Sequence, residues 1–477
     1  MRLSKILKNI DSSDIDCEID GISYDSRKVK RDFLFVAIKG LKSDGHQFLK
    51  QAQQNGACVA LVEKKDPSVD MHQIEVANTR LALAQAANNF YEHPTDNFNL
   101  IGVTGTNGKT TVTYMIESIF KAAGKKTGLI GTVKYNIGDK DLDVTHTTPE
   151  SLELQELFSD MREAGVNTAI MEVSSHAAKF NRIDGSQFDQ VIFTNLTQDH
   201  MDFHRDFDDY FDSKKRLFEL NKKATQIINV DDGYGKKLLD SLTGSEILTY
   251  GLNEKADFMA KDLKSDHDGS SFDLELDGKI YPFELQIGGY FNVYNALAAI
   301  ACATDDSIDP ETIRDGLARL EVVPGRFEML KIDAPFKVIV DYAHTPDGLQ
   351  NVLSAARQIT DGRLIAVFGC GGDRDAEKRP MMGKIAASIA DIVVVTSDNP
   401  RSEDPESIIE QITINGGSHI KEADREKAIA KAISMADEKD TLVIAGKGHE
   451  TTQEINGVIR LFNDREVAAN IWQSMSR

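Results

Sequence analysis

Gly105-Thr106-Asn107-Gly108-Lys109-Thr110-Thr111 is a run whose residue types and spacing suit one task, holding the phosphates of a nucleoside triphosphate. Glycines at 105 and 108 let backbone N–H groups turn toward an anion with no Cβ in the way. The N-terminus of a following helix adds positive potential, Lys109 can reach the terminal phosphates, and Thr110 can ligate Mg²⁺. Where the usual pattern GxxxxGK[ST] has its first Gly this chain has Val103, so the loop is a shortened variant; the alternative is a Gly-rich turn that only caps a helix. Further along, Glu172 in MEVSSH and Asp199-His200 in NLTQDHMDFH each follow an apolar run that buries a strand and leaves the next residues at its end. Mg²⁺ takes carboxylate, hydroxyl and phosphate oxygens and occasionally imidazole, so Thr110, Glu172 and His200 form a candidate metal set. The competing reading of Glu172 is a solvent-facing charge. His176, Asp202 and His204 are read as ordinary hydrogen-bonding residues.

Such groups need a strand to deliver the loop and a helix to receive it. Leu100, Ile101 and Val103 supply an apolar strand before the loop, and Val112, Met115, Ile116, Ile119, Phe120 and Ala123 repeat with helical spacing after it. From Phe98 to about Phe327 strand and helix alternate: Thr127 to Ile130, a helix from Leu152 to Ala164 stopped by Gly165, Thr168 to Val173, Val191 to Thr194 and Ile227 to Val230. That alternation argues a mostly parallel sheet covered by helices. Before it, residues 1–97 read as a small α/β unit of short strands and one helix, ending in the polar joint His93-Pro94-Thr95-Asp96. After Pro324-Gly325-Arg326 a third α/β unit begins, with strands at Lys337 to Val340, Leu364 to Phe368, Ile392 to Thr396 and Leu442 to Ala445 and a helix from Arg425 to Ala436. The loops DYAHTPD, GCGGDRD, TSDNPR and AGKGHE follow those strands, at the carboxyl ends where open α/β sheets bind ligands. The expected organisation is three domains: 1–97, 98–327 with the P-loop, and a Rossmann-like 328–477.

A length of 477 residues agrees with about three domains. Lysine and arginine number 55 against 76 acids, a net charge of −21 with the acids dispersed, which disfavours nonspecific nucleic-acid binding. Cys17, Cys58, Cys302 and Cys370 are far apart, without CxxC pairs or zinc-like His companions, and read as reduced thiols. The sequence shows neither a signal peptide nor a long apolar span, so a cytoplasmic protein without membrane contact is expected, as a monomer.

In order along the chain, TGTNGKTT, HTTPE, MEVSSH, NLTQDHMDFH, GGYFNVYNALAA, PGRFE, DYAHTPD, GCGGDRD, DNPR and GKGHE resemble the motifs of the Mur ligases of bacterial cell-wall synthesis, from Ser26 to the end. Within that family they most resemble the branch that adds the third amino acid of the peptidoglycan stem. The resemblance implies an ATP-dependent amide-forming ligase: ATP phosphorylates the D-glutamyl carboxylate of UDP-N-acetylmuramoyl-L-alanyl-D-glutamate, and an amine attacks the acyl phosphate. It assigns Lys109, Glu172, His200 and Lys214 to catalysis. The P-loop residues, Asn292, Asn295, Arg326, Asp341 and His344 would bind ATP. Of these, Asn292 and Asn295 could equally be a helix N-cap and a first-turn residue, and Arg326 a surface ion pair.

For the UDP-sugar peptide the resemblance assigns Ser26 in the N-terminal, UDP-binding domain, Thr147 and Thr148 with Ser174, and Arg182, whose fork suits a carboxylate. The chain departs from some relatives at Phe180, where they carry Gln, and in the loop Leu41-Lys42-Ser43. Lys214 in YFDSKKRLF aligns with a lysine that family members carry as a carbamate; the alternative is a solvated basic face of Lys214, Lys215 and Arg216. For the third amino acid, Asp398-Asn399-Pro400-Arg401 is the DNPR motif of relatives that use meso-diaminopimelate, with Arg374, Gly446 and Glu450 as further contacts. Arg401 would pair with the distal carboxylate and repel the terminal ammonium of lysine. Rival readings are the same reaction with L-lysine, a folylpolyglutamate synthase-like ligase, and a nucleotide switch without ligase chemistry.

Overall fold

The computed structural model describes residues 1–11, 15–40, 43–266, 269–412 and 418–476; Leu41 and Lys42 of the divergent N-terminal loop lie outside them. Three large sheets succeed one another along the chain, and a two-stranded hairpin, Thr452–Ile455 with Val458–Leu461, follows the last. The first is all parallel, Gly21–Ser23, Phe33–Val36, Ala57–Val62 and His72–Glu75 in that order. It carries more helix than the single one expected: besides Leu49–Gln54 there is Thr79–Phe90, whose alanines Ala82, Ala84, Ala86 and Ala87 are buried and whose N-cap Asn78 accepts the N–H groups of Arg80 and Leu81.

The second sheet has eleven strands, and Asn99–Thr104 lies within it between Thr168–Glu172 and Gln190–Phe193, parallel to both. Successive side chains of a strand face opposite ways. Thus Ile101 and Val103 pack with the P-loop helix Lys109–Ala122 and the helix Phe291–Asp305 on one side, whereas Leu100 joins Phe158, Met171 and Phe193 on the other. The Phe291–Asp305 helix is apolar almost all round, as a helix enclosed by its own domain must be. The alternation read for this domain fails over two stretches: Tyr135–Ile137 and Lys140–Leu142 follow Thr127–Ile130 without a helix and pair antiparallel at one edge of the sheet. Phe258–Asp266, Gly269–Leu276 and Lys279–Leu285 form an antiparallel meander at the other edge, its second hairpin closed by Asp277-Gly278 with φ of 51° and 74°. Both central residues at positive φ make the tight turn whose twist matches paired strands.

The third sheet orders Glu328–Met329, Lys337–Asp341, Thr441–Ala445, Leu364–Phe368, Ile392–Val395 and Ser418–Lys421, all parallel after the short first strand. Its DYAH, GKGHE, GCGGDRD and DNPR loops therefore emerge at one edge, where they meet the carboxyl ends of the central strands. Among the described residues no helix is long and apolar enough to cross a membrane.

Candidate active site

Strand Asn99–Thr104 ends in a loop that only glycine permits. Gly105 has φ of 148°, and a Cβ there would lie 1.8 Å from Thr194 Oγ1; Gly108 has φ of 87°, and its Cβ would lie 2.4 Å from Asn295 Oδ1. Gly108 is the N-cap of the P-loop helix and no side chain caps it, so first-turn N–H groups remain for an anion. Asn195 holds the loop from the neighbouring strand: its carbonyl accepts Thr106 N–H at 2.9 Å and its Oδ1 accepts Asn107 N–H at 2.9 Å. Lys109 curls over it, Nζ donating to the carbonyls of Gly105 and Thr106 at 2.9 Å each. Burial pushes its pKa down, against the pull of Glu172 and Asp199.

Glu172, at the end of its strand, is 1% exposed, which overturns the solvent-facing reading. Oε1 accepts Thr110 Oγ1–H at 3.0 Å and Thr132 N–H at 2.8 Å, and Oε2 accepts Thr132 Oγ1–H at 3.0 Å. Thr132 Oγ1 also lies 3.0 Å from Thr147 Oγ1, so a chain of hydroxyls and one carboxylate runs from the P-loop to HTTPE. Thr148 lies beneath it, Oγ1 donating to Glu172 O at 2.8 Å and accepting Ser174 N–H at 3.1 Å, while Ser174 caps the helix Ser175–Lys179. Arg182 donates to Thr148 O at 2.9 Å and lies 3.3 Å from Glu150, which Arg80 of the N-terminal-domain helix Thr79–Phe90 approaches at 2.8 Å. The first domain thus packs against the HTTPE loop. Ser26 stays within that first domain, Oγ donating to Gln51 Oε1 at 2.8 Å, and is not among the residues lining the central cavity.

That cavity, about 700 Å³, lies between the central and third domains and is lined by Lys109, Thr110, Glu172, His200, Asn295 and Arg326, among others. Arg326 is no surface ion pair: Nη2 donates to Thr110 Oγ1 at 3.0 Å and its guanidinium lies 4.3 Å from the Tyr342 ring centroid. Asp341 positions it by accepting Phe327 N–H at 2.6 Å and Ala343 N–H at 2.7 Å, and burial raises the Asp341 carboxyl. Asn107 Nδ2 donates to Asp347 Oδ2 at 2.7 Å, tying the P-loop directly to the third domain. Asn292 and Asn295 are buried inside their helix, whose N-cap is Tyr290, so the capping alternative does not apply. Asn292 Nδ2 donates to Gly288 O at 2.7 Å and Asn295 Nδ2 to Asn292 Oδ1 at 2.9 Å.

His200, at φ of 57°, places Nε2 3.3 Å from Asp199 Oδ2, and His344 Nε2 approaches the same oxygen at 3.9 Å. Burial pushes His200 down to about 3, so its imidazole is neutral. Burial alone would raise Asp199, but His200, His344 and Lys378 together hold it below the ordinary carboxylate value. His204 is buried between Ser175 Oγ at 2.9 Å and Asp209 at 3.2 Å, and His176 stacks on Phe203.

Lys214 points inward. It is 2% exposed, Nζ donates to Gly105 O at 2.7 Å and lies 4.6 Å from the Tyr210 ring centroid. Burial and then the Lys109 charge push its ammonium well down, with Asp199 pulling the other way. The solvated basic face is thereby overturned: Lys215 pairs with Glu219 at 3.1 Å and Arg216 with Asp184, each in a different direction.

In the third domain Arg401 donates from Nη1 to Gly372 O at 2.7 Å, and with Arg374 it flanks Gly371. Arg374 also lies 3.8 Å from Asp202 of the central domain. The Pro400 carbonyl accepts Glu403 N–H at 3.0 Å. Asn399 Nδ2 donates to Glu450 Oε2 at 2.9 Å, and Gly446 has φ of 116° with Asp398 Oδ2 3.2 Å from where its Cβ would stand. Sequence reasoning missed Thr132, Asn195, Asp347 and Lys447. Three of them had a visible signal, Asn195 being inside NLTQDHMDFH, Asp347 inside DYAHTPD and Lys447 inside AGKGHE; Thr132 had none.

A P-loop facing a second nucleotide-side loop across a domain cleft, with cationic amino-acid-sized loops beyond it, defines a nucleotide-dependent α/β enzyme of several substrates. Family models match three successive stretches of the chain: a Mur ligase family catalytic domain over 18–91, a Mur ligase middle domain over 103–303 and a Mur ligase glutamate ligase domain over 325–448. The UDP-N-acetylmuramoyl-L-alanyl-D-glutamate--2,6-diaminopimelate ligase 1 of Clostridium acetobutylicum is 46% identical, covering 98% of each chain. The corresponding ligase of Aquifex aeolicus is 46% identical over 99% of this chain and 95% of its own. A solved structure of such a diaminopimelate ligase superposes with a TM-score of 0.73 at 32% identity, covering 100% of this chain and 99% of that one. The chain belongs to the Mur ligase family.

Proposed function

We propose that the protein is an ATP-dependent ligase joining meso-diaminopimelate to the D-glutamyl carboxylate of UDP-N-acetylmuramoyl-L-alanyl-D-glutamate, a step of peptidoglycan precursor synthesis. The observation that carries this reading is the continuous path Arg326–Thr110–Glu172–Thr132–Thr147, which joins a phosphate loop to a substrate loop within one cavity. The relatives named for this reaction, similar over nearly the whole chain, support it further.

A carboxylate is a poor electrophile because it would have to expel oxide, whereas its acyl phosphate expels phosphate readily. P-loop N–H groups, Lys109 and Arg326 would hold the triphosphate and offset the charge that develops as the phosphoryl group moves. Thr110 Oγ1 and the Glu172 carboxylate, hard oxygens 3.0 Å apart, fit Mg²⁺, which when bound would neutralise phosphate charge. His200 lines the same cavity, with Nε2 3.3 Å from Asp199 Oδ2, and would be the third residue of that metal set. The free amine that burial favours at Lys214 would add CO₂, forming an N–C bond and releasing a proton, to become an internal carbamate beside Gly105. Arg401, Asn399 and Glu450 would receive the zwitterionic end of diaminopimelate, carboxylate to Arg401 and ammonium to Glu450.

Phosphate release from ATP, measured with the nucleotide dipeptide and each candidate amino acid in turn, tests the reading. Release that needs both the dipeptide and diaminopimelate is expected; release indifferent to the amino acid would return the protein to the class of nucleotide switches.

A further inference from the structure

Lys447 has no place in the chemistry above, yet its side chain is 0% exposed, and a lysine is rarely enclosed completely unless its charge is used. It leaves strand Thr441–Ala445 one residue after Gly446 and turns into the DNPR loop. Nζ donates to Glu450 Oε2 at 2.8 Å and to Asn399 Oδ1 at 3.2 Å, and lies 3.9 Å from Asp398 Oδ1.

These contacts determine two orientations at once. Asn399 Oδ1 accepts both Lys447 Nζ–H and the backbone N–H of Glu454, at 3.0 Å, and both partners can only donate. The amide cannot flip, so Nδ2 must face Glu450, where it donates to Oε2 at 2.9 Å. Glu450 Oε2 is then taken by two donors, and no hydrogen bond within the protein engages Oε1 among the described residues. With 30% of the Glu450 side chain exposed, Oε1 is the oxygen left for an incoming cation. Lys447 also balances one of two carboxylates, Asp398 and Glu450, that would otherwise share a small polar space.

We propose that Lys447 is a positioning residue for the amino-acid substrate: it locks Asn399 and aims Glu450 Oε1 at the terminal ammonium of that substrate, without touching it itself. This rests on the ligase reading above and names a residue that it does not require. Because Lys447 acts through Glu450, the two should not be independent, and because it lies in the amino-acid loops, the nucleotide steps should ignore it.

The test is steady-state kinetics of Lys447→Met, Glu450→Gln and the double variant, with thermal melting of each. Hydroxylamine serves as a second nucleophile: it is small and neutral, and converts the acyl phosphate to a hydroxamate without needing Glu450. Expected is a rise of at least tenfold in KM for meso-diaminopimelate, with KM for ATP and for the nucleotide dipeptide within twofold of wild type. Hydroxamate formation should be preserved, and the double variant should be no worse than the poorer single one. A diaminopimelate KM within twofold of wild type in Lys447→Met overturns the proposal alone. So does a parallel loss in every constant and in hydroxamate formation, which would make Lys447 part of the scaffold. Should Lys447→Met not fold, Lys447→Gln carries the same test, and failure of both to fold also assigns it to the scaffold. A wild-type protein that releases phosphate with no amino acid and forms no hydroxamate overturns the ligase reading, and this proposal with it.

Discussion

Replacing Arg401 by Ala should separate diaminopimelate binding from everything else the protein does. Arg401 is at φ of 52°, but Arg and Ala both carry a Cβ, so the substitution leaves that backbone strain unchanged. Within the protein its side chain donates to Gly372 O at 2.7 Å and reaches Glu454 only at 4.0 Å, so losing it removes one neutral acceptor contact, worth about 1 kcal/mol of stability. The remaining guanidinium N–H groups, on a side chain 26% exposed, are what a distal carboxylate would find. A charge-assisted bond contributes about 1.5–3 kcal/mol, which at about 1.4 kcal/mol per decade is roughly tenfold to a hundredfold or more in KM. The exposure places the expectation in the lower half of that range. The assay is initial phosphate release at saturating ATP and nucleotide dipeptide with diaminopimelate varied, then with L-lysine in its place. ATP on the phosphate loop would lie across the cleft, so its KM should stay within twofold. Equal use of L-lysine and diaminopimelate by the wild type, or an unchanged diaminopimelate KM in Arg401→Ala, would refute the assignment.

Lys109→Ala should abolish phosphate release while circular dichroism stays native, because Lys109 caps a loop rather than filling a core; turnover within a few-fold of wild type would sink the phosphate-loop reading. Lys214→Ala should be inactive and partly rescued by short-chain carboxylates, with Lys215→Ala mild, since only Lys214 is directed into the site; equal losses without rescue would exclude an internal carbamate. Burial holds His176 at about 4 and His200 and His449 at about 3, below the ordinary value of about 6.5. The unfolded chain then binds more protons than the folded one between pH 6.5 and 4, so stability is full above about pH 6.5 and falls as the pH is lowered through that window. Calorimetric melting across it should show the decline, and a flat profile would contradict the buried neutral histidines.

Where one short stretch carries its own geometry, the sequence was sufficient. The phosphate loop needs Gly105 and Gly108 because neighbouring atoms and positive φ leave no room for a Cβ, and an apolar strand followed by a helical repeat can hardly be anything else. The helix Ser151–Glu163 and the four parallel strands read in the third domain were legible for the same reason. The meander at Phe258–Leu285 was missed although its Asp277-Gly278 turn is a local signal, because strand and helix alternation elsewhere was extended across it. Other features were beyond any local reading. Lys214, Lys215 and Arg216 are consecutive cations, and a helix sends consecutive residues about 100° apart; only packing decides which of them enters the site. Glu172 and Arg326 were equally plausible as surface charges until the fold enclosed them. Thr132, Asp347 and Lys447 acquire meaning from partners 40, 240 and 48 residues away. Residue types along the chain determined which chemistry was available. The tertiary structure decided which hydroxyls, carboxylates and cations share one cleft, because their hydrogen-bond partners are distant in sequence, some within one domain, as Thr132 and Glu172, and some in another, as Asn107 and Asp347.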